Sequence, residues 1–495
     1  MGQPKVKPML LLAAAVLAAP LSAQDRSVEE YVAAVEGPQS TAGPAEVGGL
    51  TITELMEEFG VPGVSVAVIR DFEIHWAKGY GIADVESGAP VDTETLFQAA
   101  SISKPVAAMA VMRAVQDGMF GLDTDINEIL TSWTLDGAGF TDRYPVTPRS
   151  LTSHTSGLGD GFGFPGYDPG ATIPSVVQIL DGHESSNVGP LFMERPPYTG
   201  EEYSGGGVTL MQQALADAHG RAFADIMRDV VLDPIGMERS TYDQPLDAER
   251  DRNAARAHDG EGAPQGPKWH VYPEQAAAGL WTTPSDLARL LIEMQKSVRG
   301  ESNRVLDRSS ALEMLTPVGV GGFGIGFAIA RRGRGWYFSH GGSNWGFRAT
   351  MMAHRLHGYG LVIMTNADRG GAVLSEVSRR IQEAYEWDLT LDELPRGYDA
   401  VEKEYIDVDA SVLERYVGIF EGEGVGRLNV TVEDGGLFVR PDGEAKLQVF
   451  PETETRFSPR SVAATLEFIF DQDGEVDGLI VRQGGQEITI RKVGP

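Results

Sequence analysis

Strand-patterned sequence brackets a helical middle in this chain, and that arrangement limits the folds open to it. Early on, "GVSVAVIRDFEIHWAKGYG" alternates apolar and polar residues and turns near Arg70-Asp71. The pattern predicts a hairpin of two strands, Val64 to Ile69 and Glu73 to Gly79. Strand character returns only much later, at "GFGIGFAIARR", "GWYFSHGG", "RATMMAHR" and "GYGLVIMTNA". Between these ends lie helical pieces such as "PVAAMAVMRAVQ", apolar nearly all round and so buried on most sides. "TPSDLARLLIEMQKSV" begins with Thr283 as N-cap and Pro284 at the first helical position. A further helix, "AVLSEVSRRIQEAYEW", follows the last strand. The layout predicts an α+β fold: one antiparallel sheet built from both ends, flanked by helices, with a helical subdomain inserted.

The remaining segments divide the 495 residues further. Residues 1–23 carry Lys5 and Lys7, an apolar run from Met9 to Ala19, and a small residue at Ala23. That is the pattern of a secretory signal peptide. The α+β unit then covers 24–390, a polar linker 391–408, and a second unit 409–495. In the last, alternating runs are punctuated by Asp434-Gly435, Asp442-Gly443 and Asp473-Gly474. These hairpin signals predict a small antiparallel β barrel or sandwich. No other apolar stretch reaches membrane length, so the expectation is a soluble exported protein, periplasmic or extracellular. There is no cysteine, which excludes disulfides, thiolate chemistry and a lipid-anchored cysteine. The formal charge of −30 repels phosphate backbones and argues against nucleic acid as a partner.

Three short segments carry chemistry. In "LFQAASISKPVAAM", Lys104 follows Ser101 by three residues, a spacing that places both on one helix face. A serine hydroxyl needs a base to become a nucleophile, and a neutral lysine amine is such a base. Pro105 belongs in a first helical turn, so it places the helix start near Ser101. There, free N–H groups favour developing negative charge. Lysine occurs nine times, and this is the chain's one Ser-x-x-Lys. By itself the pair reads equally well as an N-cap serine with a surface lysine. The second segment, "YTGEEYSGGGVTL", sets Tyr203 in a glycine-rich turn, where a phenol is able to shuttle protons or simply to pack under a loop. The third, "YFSHGGSNWGF", runs a strand into His340, Gly341, Gly342 and Ser343. Its glycines permit close approach of a substrate, and the Ser343 N–H is a candidate oxyanion donor.

Together these segments resemble the serine β-lactamase and penicillin-binding-protein-like hydrolases, within them the class C β-lactamase-related group. "LTSHTSGL", "LDPIGMERST" and "AAAGLWTTPSDLARL" extend the likeness over roughly Val61 to Asn366. The C-terminal segment resembles the lipocalin-like barrel often appended to such hydrolases. The resemblance implies a β-lactamase/transpeptidase-like fold and an acyl-enzyme on Ser101. Lys104 and Tyr203 would share the acid and base work. Ser101 and Ser343 N–H would form the oxyanion hole, and His340, Gly341 and Gly342 would line the substrate. Two positions depart from the family. Gly205 stands where the family commonly has an asparagine, and His340 where dedicated β-lactamases have lysine. Both changes favour an esterase, amidase or peptidase over an efficient β-lactamase. The competing expectation is a penicillin-binding-like protein that holds peptides or small ligands without turnover.

Other chemistries find no motif. There is no Gly-x-Ser-x-Gly elbow and no His-Glu-x-x-His, and no metal or cofactor is expected. His354 and His357 lack a third ligand and are expected at the surface of a strand edge. His154 is expected to be a structural loop residue supporting the site. The expected partner is a small-molecule or peptide acyl substrate.

Overall fold

The computed structural model describes residues 26–494 except 39–46, 142–143, 160–163, 319–321, 333–334, 388–404, 407 and the barrel segments 423–425, 434, 442–445, 460–463 and 484–485. The expected leader and most of the expected linker lie outside the described residues.

The main strands are β1 (Gly63–Arg70), β2 (Glu73–Asp84) and β3 (Ala89–Pro90). A small pair, β4 (Phe97–Gln98) and β5 (Trp281–Thr282), stands apart. The later main strands are β6 (Ala328–Arg332), β7 (Gly335–Asn344), β8 (Phe347–His354) and β9 (Gly360–Thr365). They form a seven-stranded sheet in the order β3-β2-β1-β9-β8-β7-β6, antiparallel throughout. The expected joining of the two ends is the β1–β9 ladder, from Val64 opposite Thr365 to Ile69 opposite Gly360.

Strand alternation sorts side chains to two cores. Ala67, Ile69, Phe338, Met351 and Met364 face the larger core with helices Ser103–Gln116 and Pro284–Arg299. Val64, Val66, Val68, Tyr337 and Met352 face the other, with helices Ile52–Glu58 and Gly370–Ala384. Helix Pro284–Arg299 is capped as expected: the Thr283 hydroxyl accepts from Asp286 N–H, and proline opens the first turn. Buried Arg380 secures the N-terminal segment. It pairs with Glu376 and donates to the carbonyls of Gly37 (3.3 Å) and Leu50 (2.9 Å). Eleven of the fourteen residues of Ser103–Gln116 are buried, as its all-round apolar surface demands.

The C-terminal unit is a closed barrel of eight strands, from Gly418–Gly422 to Gln486–Gly494. Its interior is filled by side chains such as Phe420, Phe457, Phe468 and Leu479, and Tyr416 stacks on Phe468 at 4.3 Å.

Two local expectations are corrected. "GFGIGFAIARR" is strand only over Ala328–Arg332. Its glycines serve close packing instead: Gly326 has φ 81°, and a Cβ there would lie 2.7 Å from the Ala108 side chain. His354, expected at the surface, is 4% exposed at the end of β8, and only His357 is exposed.

Candidate active site

Ser101 lies in a 3-10 turn, Ala100–Ile102, that runs directly into helix Ser103–Gln116. The residue before it, Ala100, has φ 51°, a left-handed conformation that is strained for a residue with a Cβ. Surrounding bonds hold this turn. The Ser103 hydroxyl donates to Ala100 O at 2.5 Å and accepts from Leu280 N–H at 3.0 Å. Ala99 N–H donates to Leu280 O at 2.9 Å, and the Tyr242 hydroxyl donates to Ser103 O at 2.7 Å.

One turn on, Lys104 is 3% exposed. Its Nζ lies 3.1 Å from Ser101 Oγ and donates to Ala277 O at 2.8 Å. The Ala277 carbonyl belongs to the short helix Gln275–Ala278, which the larger core presses against Ser103–Gln116. The amine is therefore held from two sides, with the serine oxygen as one of its partners.

Tyr203 reaches the same place from the loop before helix Gly205–His219, whose N-cap is Ser204. Lys104 Nζ stands 4.9 Å from the centre of the Tyr203 ring. His154 grips the backbone on both sides of this tyrosine. Its carbonyl accepts from Glu202 N–H at 2.8 Å, and its Nδ1 accepts from Ser204 N–H at 3.2 Å. The His154 and Tyr203 rings lie 4.3 Å apart. Accepting at Nδ1 puts the proton of neutral His154 on Nε2. Burial first, then the nearby Lys104, hold its pKa well below the ordinary histidine value.

His340 is a buried residue of β7, 6% exposed. Its Nδ1 is 2.6 Å from Gly341 O, which fixes the donor there and leaves Nε2 as a buried acceptor without a partner. Burial and then the Lys104 charge lower its pKa to about 4, against the pull of the Gly341 carbonyl. It is a neutral imidazole at pH 7. Beyond it, Gly341 and Ser343 are exposed, and β7 passes very close to the serine turn. A Cβ on Gly342 would sit 2.2 Å from Ala99 O. Gly342→Val therefore forces β7 off the turn. We expect kcat/KM to fall by about 100-fold, as displacements near 1 Å do. Steady-state kinetics on any accepted ester, with circular dichroism as a check on folding, measures this.

Asn344 ends the strand by donating to Gln98 Oε1 (3.0 Å) and Ala278 O (3.1 Å), tying β7, β4 and the Gln275–Ala278 helix together. Glu274, just before that helix, is fully buried with neither carboxylate oxygen in a well-formed hydrogen bond. Burial raises its pKa to about 7, outweighing a weak attraction from its own backbone N–H. The unfolded chain releases this proton near pH 4.5 and the folded chain near 7, so stability falls as pH rises through that window. Glu274→Gln is expected to raise the stability at pH 8 by roughly 3 kcal/mol and to change little at pH 4. Thermal melts at the two pH values test it, and equal effects at both would refute the assignment.

Ser101, Lys104, Tyr203, His340 and Gly342 thus converge, and Ser343 follows on the same strand opposite Arg348. Among the described residues no group of three or more His, Asp or Glu side chains is placed to hold a metal. A serine paired with a buried lysine, at a helix start beside the edge of an antiparallel sheet, defines the class of protein: a serine hydrolase of the Ser-x-x-Lys type.

The comparisons with known proteins agree. Residues 50–386 match the family described as Beta-lactamase, and the chain belongs to that family. Residues 402–492 match a domain of unknown function, DUF3471. The chain is 24% identical to penicillin-binding protein 4* of Bacillus subtilis (strain 168), over 85% of this chain and 92% of that protein. It is 30% identical to esterase EstB of Burkholderia gladioli, over 43% of this chain and 54% of that one. The crystal structure of D-amino acid amidase from Ochrobactrum anthropi SV3 complexed with L-phenylalanine superimposes with a TM-score of 0.53. Its identity is 25%, covering 68% of this chain and 97% of the amidase. Among the described residues no helix is long and apolar enough to cross a membrane.

Sequence reasoning named the side chains but missed the main-chain partners. Ala277 O and Leu280 N–H carry no signal in residue type. Asn344 and the His154 grip on Tyr203 were written in "GGSNWGF" and "LTSHTSGL", where only a supporting role for His154 was legible.

Proposed function

We propose that this protein is an exported serine hydrolase that cleaves amides or esters through an acyl-enzyme on Ser101. The observation that carries this reading is the 3.1 Å approach of Lys104 Nζ to Ser101 Oγ, with Ala277 O fixing the amine. Ser101 Oγ attacks the substrate carbonyl carbon while the hydroxyl proton passes to the Lys104 amine. The carbonyl oxygen becomes an oxyanion, held by the N–H groups of Ser101 and Ser343. Collapse breaks the bond to the amine or alcohol, which leaves with a proton relayed by Lys104 and Tyr203. Water then attacks the acyl-enzyme, gives its proton to the same base, and releases the acid.

The substrate side of the cleft supports ester and amide donors over β-lactams. His340, neutral at pH 7, offers no fixed charge to a substrate carboxylate. Gly205 offers no side-chain amide to a peptide backbone. The relatives named as an esterase and a D-amino acid amidase fit that range. The leader pattern of residues 1–23 supports export.

The test is covalent labelling. A fluorophosphonate probe is expected to add once, and peptide mass spectrometry to place the adduct on Ser101. An unlabelled protein that still hydrolyses p-nitrophenyl esters would overturn the mechanism.

A further inference from the structure

One further side chain reaches the rings around Ser101. The Phe323 ring lies edge-on to His154 at 4.7 Å, and its centre is 6.1 Å from that of Tyr203 and 6.0 Å from that of His340. Such separations are those of interacting rings. Phe323 is half-buried, so part of its ring stays open. The proposed acyl transfer gives it no task.

Its backbone is pinned on both sides. Phe323 N–H donates to Glu201 Oε2 at 3.1 Å, and its carbonyl accepts from Val318 N–H at 2.8 Å. Gly324, next in the chain, donates to Phe327 O at 2.9 Å, and a Cβ there would lie 2.5 Å from Met314 O. Gly326 N–H donates to Thr152 O at 2.8 Å, in the segment that leads to His154. The ring is therefore presented at a fixed place, and the Glu201 bond ties it to the loop that carries Tyr203.

The geometry sets which part of a substrate meets this ring. In the proposed reaction the oxyanion is held by Ser101 N–H and Ser343 N–H. Ser343 lies three residues beyond His340 on β7, about 10 Å along an extended strand. Phe323 stands at the His340 end, beside Tyr203. Tyr203 shares the relay that protonates the departing amine or alcohol. The leaving group has to come within hydrogen-bond reach of that relay, which brings it to the open face of Phe323.

The charge beside the ring is negative. Glu201 is exposed, with its carboxylate fixed at Phe323 N–H. Among the described residues no lysine or arginine pairs with it, whereas neighbouring Glu202 pairs with Arg195. The Lys104 amine is buried and committed to Ser101 Oγ and Ala277 O. His340 is neutral at pH 7. An aromatic face with an uncompensated carboxylate at its edge favours an apolar group that is neutral or cationic, and repels an anionic one.

We propose that Phe323 and Glu201 form the leaving-group subsite, and that they select esters and amides whose departing alcohol or amine is aromatic or apolar and bears no carboxylate. This selection rests on the acyl-enzyme reading of Ser101. A peptide whose departing residue ends in a free carboxylate is then a poor substrate.

The experiment uses the full chain with acetate esters, so that every substrate gives the same acetyl-enzyme. kcat/KM is measured for methyl 4-acetoxybenzoate, 4-acetoxybenzoate and ethyl acetate, each divided by its rate with hydroxide. The neutral aryl ester is expected to exceed the anionic one by about fivefold or more at low salt, and by less at high salt. Glu201→Gln keeps an acceptor for Phe323 N–H and is expected to bring the two aryl esters close to equality. Phe323→Ala is expected to lower the neutral aryl ester roughly tenfold relative to ethyl acetate. Loss of acetate from the acetyl-enzyme is expected to stay within about twofold in that variant, whereas damage to Tyr203 or Lys104 would slow it. Glu201 is exposed, so its substitution keeps the test valid if Phe323→Ala fails to fold. An acetylated Ser101 with no preference between the aryl esters, or with the same preference in Glu201→Gln, overturns the subsite and leaves the acyl-enzyme standing. Absence of an acetyl adduct on Ser101, by mass spectrometry of the quenched reaction, overturns both.

Discussion

Ser101→Ala is expected to lower kcat/KM for every ester or amide substrate by about 10⁴-fold or more while leaving the melting temperature within a few degrees of wild type. The size follows from the chemistry. Without Oγ no acyl-enzyme forms, and the covalent route that divides the reaction into two easier steps is lost. The stability argument is equally direct. Ser101 is half-buried, and its turn is held by Ser103, Leu280 and Tyr242 rather than by its own hydroxyl. The residue it becomes is no larger, so Gly342 keeps its approach to Ala99. Steady-state kinetics and a thermal melt of the same sample measure both effects. A variant that keeps most of its activity would remove Ser101 from the mechanism.

Lys104→Met is expected to cost about 10³-fold, nearly all of it in acylation, as removal of a general base does. Methionine preserves the buried length of the side chain but cannot take the Ser101 proton. The substitution also leaves Ala277 O without its donor at 2.8 Å, a loss of about 1–3 kcal/mol for a buried carbonyl. Both losses are separable. The chemical defect appears in a single-turnover burst with a chromogenic ester, and the structural one in the melting temperature. Wild-type acylation rates in this variant would assign the base to another group. Because His340 already sits at about 4 partly through the Lys104 charge, its pKa is expected to rise in the variant. Titration of the His340 ring by NMR supplies that independent readout.

The sequence was informative where residue type itself encodes geometry. The hairpin at Arg70-Asp71, the Thr283–Pro284 helix start and the alternating C-terminal runs each carry a local chemical rule, and each reappears in the structure. So does the Ser101/Lys104 pair, whose three-residue spacing survives although Ser101 sits in a 3-10 turn before the helix. The misreadings have one cause. "GFGIGF" alternates like a strand, but Gly326 lets the backbone touch helix Ser103–Gln116 and Gly324 lets it pass close to Met314 O. His354 ends an exposed-looking run, but its ring packs at 5.0 Å from Tyr337 beneath the next turn. Both depend on what lies across the fold, which a local pattern does not encode. The same holds for the main-chain carbonyl of Ala277, which any residue at that position would present.

The β1–β9 ladder also dictates an order of events during synthesis. Val64 and Thr365 are neighbours in the sheet, yet about 300 residues separate them along the chain, a very high contact order. The serine turn leaves the ribosome early, but β7, which presses on it through Gly342, leaves some 240 residues later. A partial chain ending before β9 lacks the strand that joins β1 to β8. Ser101, the proposed nucleophile, therefore lacks its β7 neighbour until the hydrolase body is nearly complete. The barrel differs: its strands pair in sequence order, neighbour with neighbour, and need only the last stretch of chain to close.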